Sequence, residues 1–402
     1  MIKYVVLLLA LASFAACATD APERRRPVVR DSGGIRIVEN TAPLWQSGQE
    51  WRPSQEPMVV IGGGDTEEDQ LFRVVGALRL SDGRIVVANG GTNEIRFYGP
   101  GGAFLSAAGG EGEGPGEFRR LSAVRRLRGD SLFAQDARLF RSSVFDGQGR
   151  FVRTVQPQAA RGRSSIDIVF DDGMMLGSSI VRFNVADIKL GLFRMAFTFY
   201  RFDGTGDLVD TLGVYPGFEL YVVPSQGGVP STYSHPISRA TYFQFLPDGY
   251  YVADNDTYEV QKYAPDGKLQ QIVRRLTVPV QVEPQHMETL RERALAAITD
   301  DDRRRRTEQF YRDMPLPETF PAYSGIVVSV EDYLWMREYD LPGNEANNWS
   351  VFDAEGTLLG TLGLPPRFRP LDIGPDYILG VWRDEDDVEH VRMYDLVKPE
   401  GD

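Results

Sequence analysis

Residues 74–109 read VVGALRLSDGRIVVANGGTNEIRFYGPGGAFLSAAG, and the way this stretch is divided decides the fold. Four apolar segments are separated by three polar turns, at Asp82-Gly83, at NGGTN (89–93) and at GPGG (99–102). Short apolar runs bounded by Gly, Asn and Asp are hairpin signals, because Gly supplies the positive φ that a tight turn needs. The unit is therefore a four-stranded antiparallel meander. It recurs. Inner turns like Asp82-Gly83 return as RGD (128–130), DDG (171–173), PDG (247–249), VED (330–332) and GPD (374–376). Outer turns like GPGG return within VFDGQGRF (144–151), RFDGTGDL (201–208), KYAPDGKL (262–269) and VFDAEGTL (351–358).

The chain thus carries six inner turns and five outer ones. The last copy, RPLDIGPDYILGVWRDEDDVEHVRMYDL (369–396), has three strands, and a lone strand, MVVIG (58–62), precedes the first copy. Units of roughly 40 to 50 residues with four strands each are propeller blades. The expected fold is all-β, a six-bladed β-propeller spanning 35–402 in which the N-terminal strand completes the last blade. An internal alignment agrees: VVIGGGDTEEDQLFRVVGALRL (59–80) matches LSAAGGEGEGPGEFRRLSAVRR (105–126), with Gly63 and Gly64 on Gly109 and Gly110 and Phe72 on Phe118.

That alignment also disposes of a nucleotide site at GGEGEGPGEF (109–118). Neither glycine-rich phosphate motif can be laid on it, and Glu111, Glu113 and Glu117 would repel a phosphate. An interblade loop is the better reading. Across all 402 residues, 44 basic against 57 acidic side chains give a net charge of -13, which disfavours nucleic acid or anionic lipid as a partner for the body of the protein. The single cysteine excludes an intramolecular disulfide, and the three histidines, His235, His286 and His390, are too scattered for a metal motif.

At the N-terminus Lys3 precedes the apolar run VVLLLALASFAAC, which has the length of a signal-peptide core. Phe14-Ala15-Ala16 before Cys17 resembles the lipobox of bacterial lipoproteins, with Phe14 where that pattern has Leu. The expected arrangement is a signal peptide at 1–16, lipid attachment at Cys17, and a flexible tether over 17–34, whose polar sequence ATDAPERRRPVVRDSGG lacks periodicity. Ala18 after the cysteine is compatible with the outer membrane. The lipobox, the first meander and LPDGYYVADNDTYEVQKYAPDGKL (246–269) together resemble the bacterial six-bladed propeller lipoproteins, a group similar to the NHL-repeat and TolB-like propellers. The resemblance covers about 35–397. It implies an exported outer-membrane lipoprotein, and it leaves function open because such propellers are mostly binding or scaffolding modules and in a few cases lactonases or lyases.

Long insertions fall only between blades or between the second and third strands of a blade, connections that share one face of a propeller. They are GSSIVRFNVADIKLGLFRM in the third blade, VYPGFELYVVPSQGGVPSTYSHPIS (214–238), and 276–322. The last holds the helical pattern, a small insertion between blades 4 and 5 at about 283–315. Met287, Leu290, Ala294 and Ile298 form an apolar stripe, and Thr299 with Asp302 resembles a capping box for a second helix. Arg303 to Arg306 read as a solvated helix face. Asn89, Asp136, Asp254 and Glu338 end second strands and are expected at the channel mouth, with His235 and Tyr233 on the insertion face nearby. Two functions follow. The first is a non-catalytic, lipid-anchored module with no cofactor that binds an envelope protein, peptide or glycan. The second is a lactonase-type hydrolase in which calcium takes the oxygen ligands of the acidic ring.

Overall fold

The computed structural model describes residues 26–158, 164–181, 190–224, 230–344 and 346–399. The signal peptide, Cys17 and the first part of the tether lie outside them. Four N-terminal strands come first: β1 (Val28–Ser32), β2 (Ile35–Asn40), β3 (Arg52–Pro53) and β4 (Val59–Ile61). Sheet I holds β5 (Val74–Arg79), β6 (Ile85–Asn89), β7 (Glu94–Tyr98) and β8 (Phe104–Gly109). Sheet II holds β9 (Leu121–Arg126), β10 (Leu132–Asp136), β11 (Arg141–Phe145) and β12 (Phe151–Val155). Sheet III holds β13 (Ser165–Val169), β14 (Met175–Ile180), β15 (Gly191–Phe202), β16 (Leu208–Val223) and β17 (Ser231–Ser234). Sheet IV is built on β18 (Thr241–Leu246), β19 (Gly249–Asp254), β20 (Glu259–Tyr263) and β21 (Leu269–Arg275). Helices α1 (Pro284–Ala296) and α2 (Asp301–Asp313) follow it. Sheet V holds β22 (Tyr323–Val328), β23 (Leu334–Glu338), β24 (Asn348–Phe352) and β25 (Leu358–Gly363), and sheet VI holds β26 (Phe368–Ile373), β27 (Tyr377–Arg383) and β28 (Glu389–Val397).

The chain is therefore nearly all β, in six sheets among the described residues, an arrangement compatible with a β-propeller. Burial explains the strand sequences. Second strands such as β6, IVVAN, are buried on both faces and read as unbroken apolar runs, whereas outer strands such as β8, FLSAAG, are largely exposed. Each inner and outer turn expected from the repeats joins the strands expected of it. At RGD the backbone turns through Gly129 at φ 68° and Asp130 at φ 59°, and the Asp130 carboxylate accepts from Ser81 N at 3.0 Å, tying two inner turns together.

The core is divided among the gaps between sheets. One apolar cluster joins sheets I and II around Phe97, Phe118 and Phe145, and others join II to III, III to IV, IV to V and V to VI. A further cluster brings sheet VI back to sheet I through Tyr377, Leu379 and Val391 against Val74, Ile85 and Val87. At this junction β4 pairs antiparallel with β28, Val59 to Ile61 opposite Met393 to Val391.

Three expectations need correcting. First, the tether does not extend to residue 34: β1 and β2 form a hairpin, and β2 adds in parallel to β21 at the outer edge of sheet IV. Asn40 fixes it there, its amide donating to Arg274 O at 3.0 Å and Gly356 O at 2.9 Å while its Oδ1 accepts from Leu358 N at 2.8 Å. Second, the internal alignment slips by one residue. Gly62 and Gly63, at φ 103° and 80°, are the counterparts of Gly109 and Gly110, and Leu71 takes the buried place of Phe118 while Phe72 is 72% exposed. Third, 214–223 is not a loop but the continuation of β16, which β17 then joins.

The burial alternation of β4, with Val59 and Ile61 inside and Val60 outside, gives a direct check on the β4–β28 junction. Ile61→Asp places an unpaired charge in the cluster between sheets VI and I and should lower the melting temperature by many degrees, whereas Val60→Asp should change it little. Equal effects at the two positions would mean that β4 is not part of the core.

Candidate functional site

In each sheet the first strand runs from the interblade connection towards its inner turn, so the two lie at opposite ends of the sheets. The described parts of the insertions belong to the first of these ends, and there the α1–α2 segment packs with β16 and β17 into one platform. Met287 and Leu290 of α1 pack against a small cluster of Ile237, Val282 and Phe320. Phe310 of α2 lies against Tyr221 at 5.7 Å and Tyr233 at 5.2 Å between ring centroids. Polar contacts seal the joint: Tyr221 Oη donates to Asp313 O at 2.9 Å, and Arg239 reaches Thr319 Oγ1 at 2.9 Å. The helices begin differently from expectation. Asp300 rather than Thr299 caps α2, accepting from Arg303 N at 2.6 Å, because Asp301 and Asp302 already occupy the first turn. Leu295 is the buried residue of α1, and the expected stripe of Met287, Leu290, Ala294 and Ile298 is only half-buried.

His235 belongs to this joint as a structural group. It is 2% exposed, its Nδ1 accepts from Ile237 N at 3.0 Å and its Nε2 lies 3.0 Å from Pro315 O. Those partners require a neutral ring with the proton on Nε2, and burial accordingly pushes its pKa below the ordinary imidazole value. Tyr233, 46% exposed, is the only one of the six expected ligand-binding residues with a largely open face.

The four strand-end residues do not share a site. Asn89 is fully buried, accepts from Phe72 N at 2.9 Å and donates to Thr92 Oγ1 at 3.1 Å. Asp136, also fully buried, accepts from Arg119 N at 2.7 Å, Arg138 N at 2.8 Å and Leu139 N at 2.9 Å. Both tie the incoming interblade segment to the second strand of the same sheet. In sheet IV that task belongs to Asn255, whose Oδ1 accepts from Ala240 N at 2.8 Å, and not to Asp254. Asp254 instead pairs with Arg194 at 2.7 Å, and Glu338 accepts from Tyr258 Oη at 2.9 Å and Arg275 at 2.7 Å. Among the described residues no group of three or more His, Cys, Asp or Glu side chains is arranged to hold a metal ion. The RGD tripeptide is occupied in its turn, and Arg304 and Arg305 pair with Glu308 and Asp302 on α2.

The large concavity is elsewhere. A cavity of about 940 Å³ runs between the innermost strands β5, β9, β18, β22 and β26 and opens among the inner turns at Ser81, Asp130, Asp171, Asp248 and Asp332. It therefore opens at the end opposite to the insertions, where sequence reasoning placed no site. The first strands gave a signal in retrospect, since β9, LSAVRR, ends on two adjacent arginines, Arg125 and Arg126.

No protein-family model matches the chain. No curated protein matches it. Solved structures resemble it at low identity. A protein of Bacteroides fragilis NCTC 9343, provisionally named as exported, is 11% identical, with 90% of this chain and 99% of that one covered and a TM-score of 0.49. A member of the DUF4221 family from Bacteroides vulgatus is also 11% identical, covering 87% of this chain and 98% of its own at a TM-score of 0.49. A virginiamycin B lyase from Staphylococcus aureus is 8% identical, covering 87% and 100% at a TM-score of 0.40. No helix among the described residues is long and apolar enough to cross a membrane.

His235 makes the insertion joint sensitive to acid. Because its folded pKa is lowered, the unfolded chain takes up the proton first; its contribution is complete above about pH 6.5 and is lost as pH falls below that value. Melting temperatures at about pH 7.5 and about pH 5.5 should therefore drop further for the wild type than for His235→Asn. An identical drop in both would remove His235 from the joint's energetics.

Proposed function

We propose that the chain is a six-bladed β-propeller closed by its N-terminal strand, exported and held at the outer membrane through a lipid on Cys17, and that it is a non-catalytic binding module. Its partner is a protein, peptide or glycan of the envelope. The observation that carries this reading is the platform at the insertion end. The insertions of sheet III and the α1–α2 segment could have extended separately into solvent, yet they dock on each other through Phe310, Tyr221 and Tyr233 and leave Tyr233 and Phe218 exposed. Rigid aromatic side chains with an open face are the residues that dominate binding surfaces. The ring is supported by the sheet-to-sheet clusters and by the β4–β28 pairing, and export by the apolar run ahead of Cys17.

The calcium-lactonase alternative draws less support. It rested on oxygens of Asn89, Asp136, Asp254 and Glu338 meeting near the axis, and each of these side chains is engaged by partners in its own or the neighbouring sheet.

Crosslinking in intact cells followed by affinity recovery tests the reading. Wild-type protein should retain a defined envelope partner, and Tyr233→Glu, which changes an exposed position, should lose it with an unchanged circular dichroism spectrum. Cys17→Ser should retain the partner while moving to the soluble periplasmic fraction. Undiminished capture by Tyr233→Glu would contradict the platform as the binding surface.

A further inference from the structure

The channel cavity is independent of that platform and has its own chemistry. Its volume of about 940 Å³ lies within the range of small-molecule pockets, and its wall combines an apolar stretch of Phe243, Phe245, Leu246 and Leu371 with the charged Arg125, Arg126 and Asp372. Arg125, deeper in this wall than the turns at the mouth, makes no ion pair among the described residues. Arg125 is carried by β9 in sheet II, and its guanidinium lies 5.0 Å from the ring centroid of Phe245 on β18 in sheet IV. Sheets II and IV are not neighbours, so the side chain reaches across the channel. Its Nη1 is buried and has no hydrogen-bond partner among the described residues. No carboxylate among them forms an ion pair with Arg125; the buried Asp167 acts on it at longer range, its Oδ1 held by Gln135 at 3.0 Å and its Oδ2 without a hydrogen-bond partner among the described residues.

Its neighbour on the same strand shows the contrast. Arg126, also lining the cavity, is bonded to Asp372 at 3.1 Å and to the carbonyl of Arg79. A guanidinium in the wall with no ion-pair partner is costly, and a ligand carboxylate beside it would relieve that cost. The rest of the cavity limits what can carry that oxygen. Asp130, Asp171, Asp248 and Asp332 surround the mouth, so phosphates and other polyanions meet repulsion, whereas a single carboxylate can be neutralised at Arg125. The apolar stretch of Phe243, Phe245, Leu246 and Leu371 suits a carboxylate carried on an aromatic or aliphatic body.

We propose that the channel is a binding site for an amphipathic monocarboxylate, its carboxylate accepting from the Arg125 guanidinium and its body packed between Phe243, Phe245, Leu246 and Leu371. The inner turns are the entrance, at the end of the molecule away from the insertion platform.

The test is calorimetric titration of the full chain with 2-naphthoate and with its neutral match, 2-naphthamide. Wild-type protein should bind the acid at least about tenfold more tightly than the amide, the discrimination expected of one charge-assisted hydrogen bond. Arg125→Met should abolish that preference while keeping the weaker affinity for the amide. Equal affinity of the wild type for acid and amide, no binding of either, or a preference that survives Arg125→Met would overturn the proposal. The acid-to-amide ratio in the wild type decides it even if the variant does not fold, and Tyr233→Glu should leave both affinities unchanged.

Discussion

The rest of the structure depends on the pairing of β4 with β28. It joins Val59–Ile61 to Val391–Met393 across almost the whole chain, and with the short β3 it covers the outer edge of the last sheet along β28. An open edge at this position would expose backbone groups and leave the cluster between sheets VI and I half covered. The entropic cost of bringing such distant segments together rises only logarithmically with loop length, so a large apolar interface is enough to offset it. The segment before β4 reinforces this junction. From β2 on sheet IV the chain passes over sheet V, where Trp45 N donates to Leu359 O at 2.7 Å, and reaches sheet VI through β3 and Trp51. The N-terminal part is thus a belt across three consecutive sheets.

The arrangement of the sheets gives the protein two ends of different character. Interblade connections can lengthen without disturbing the sheets, and the insertions, helices and exposed aromatic side chains have accumulated there. Inner turns are short and fixed by their own hydrogen bonds, so the opposite end is a ring of tight turns rich in Asp around the channel. Asp82, Asp130, Asp171, Asp248, Asp332 and Asp376 occupy these six turns, one in each sheet. Charge and shape are therefore separated along the axis, with a broad aromatic platform at one end and an acidic-mouthed cavity with a basic wall at the other.

The repeated meander was legible because its determinants are local. Gly and Asp at turns, apolar runs in second strands and aromatic residues before the outer turns each act within a few residues of themselves. What escaped was non-local. The β1–β2 hairpin is polar and exposed along β1, and only its parallel pairing with β21 gives it a place. Leu71 and Phe72 are both apolar, and nothing in their immediate sequence says which one faces the core. Asp254 and Asn255 pose the same one-residue ambiguity, which the bulges and turns at strand ends resolve only in three dimensions. The expected site followed from loop lengths, which indicate where a surface has been elaborated. The direction taken by Arg125 depends instead on which side of β9 faces the channel, and that is set by neighbouring sheets.

Amide hydrogen exchange in the native state, read across β4 and β28, tests the central claim most directly. If their pairing closes the structure, the amides that pair Val59–Ile61 with Val391–Met393 should exchange only through global unfolding, as slowly as those of the buried β6. Fast exchange of the β4 segment while β6 stays protected would show a frayed terminal strand, and the account of a ring held shut by its N-terminus would fail.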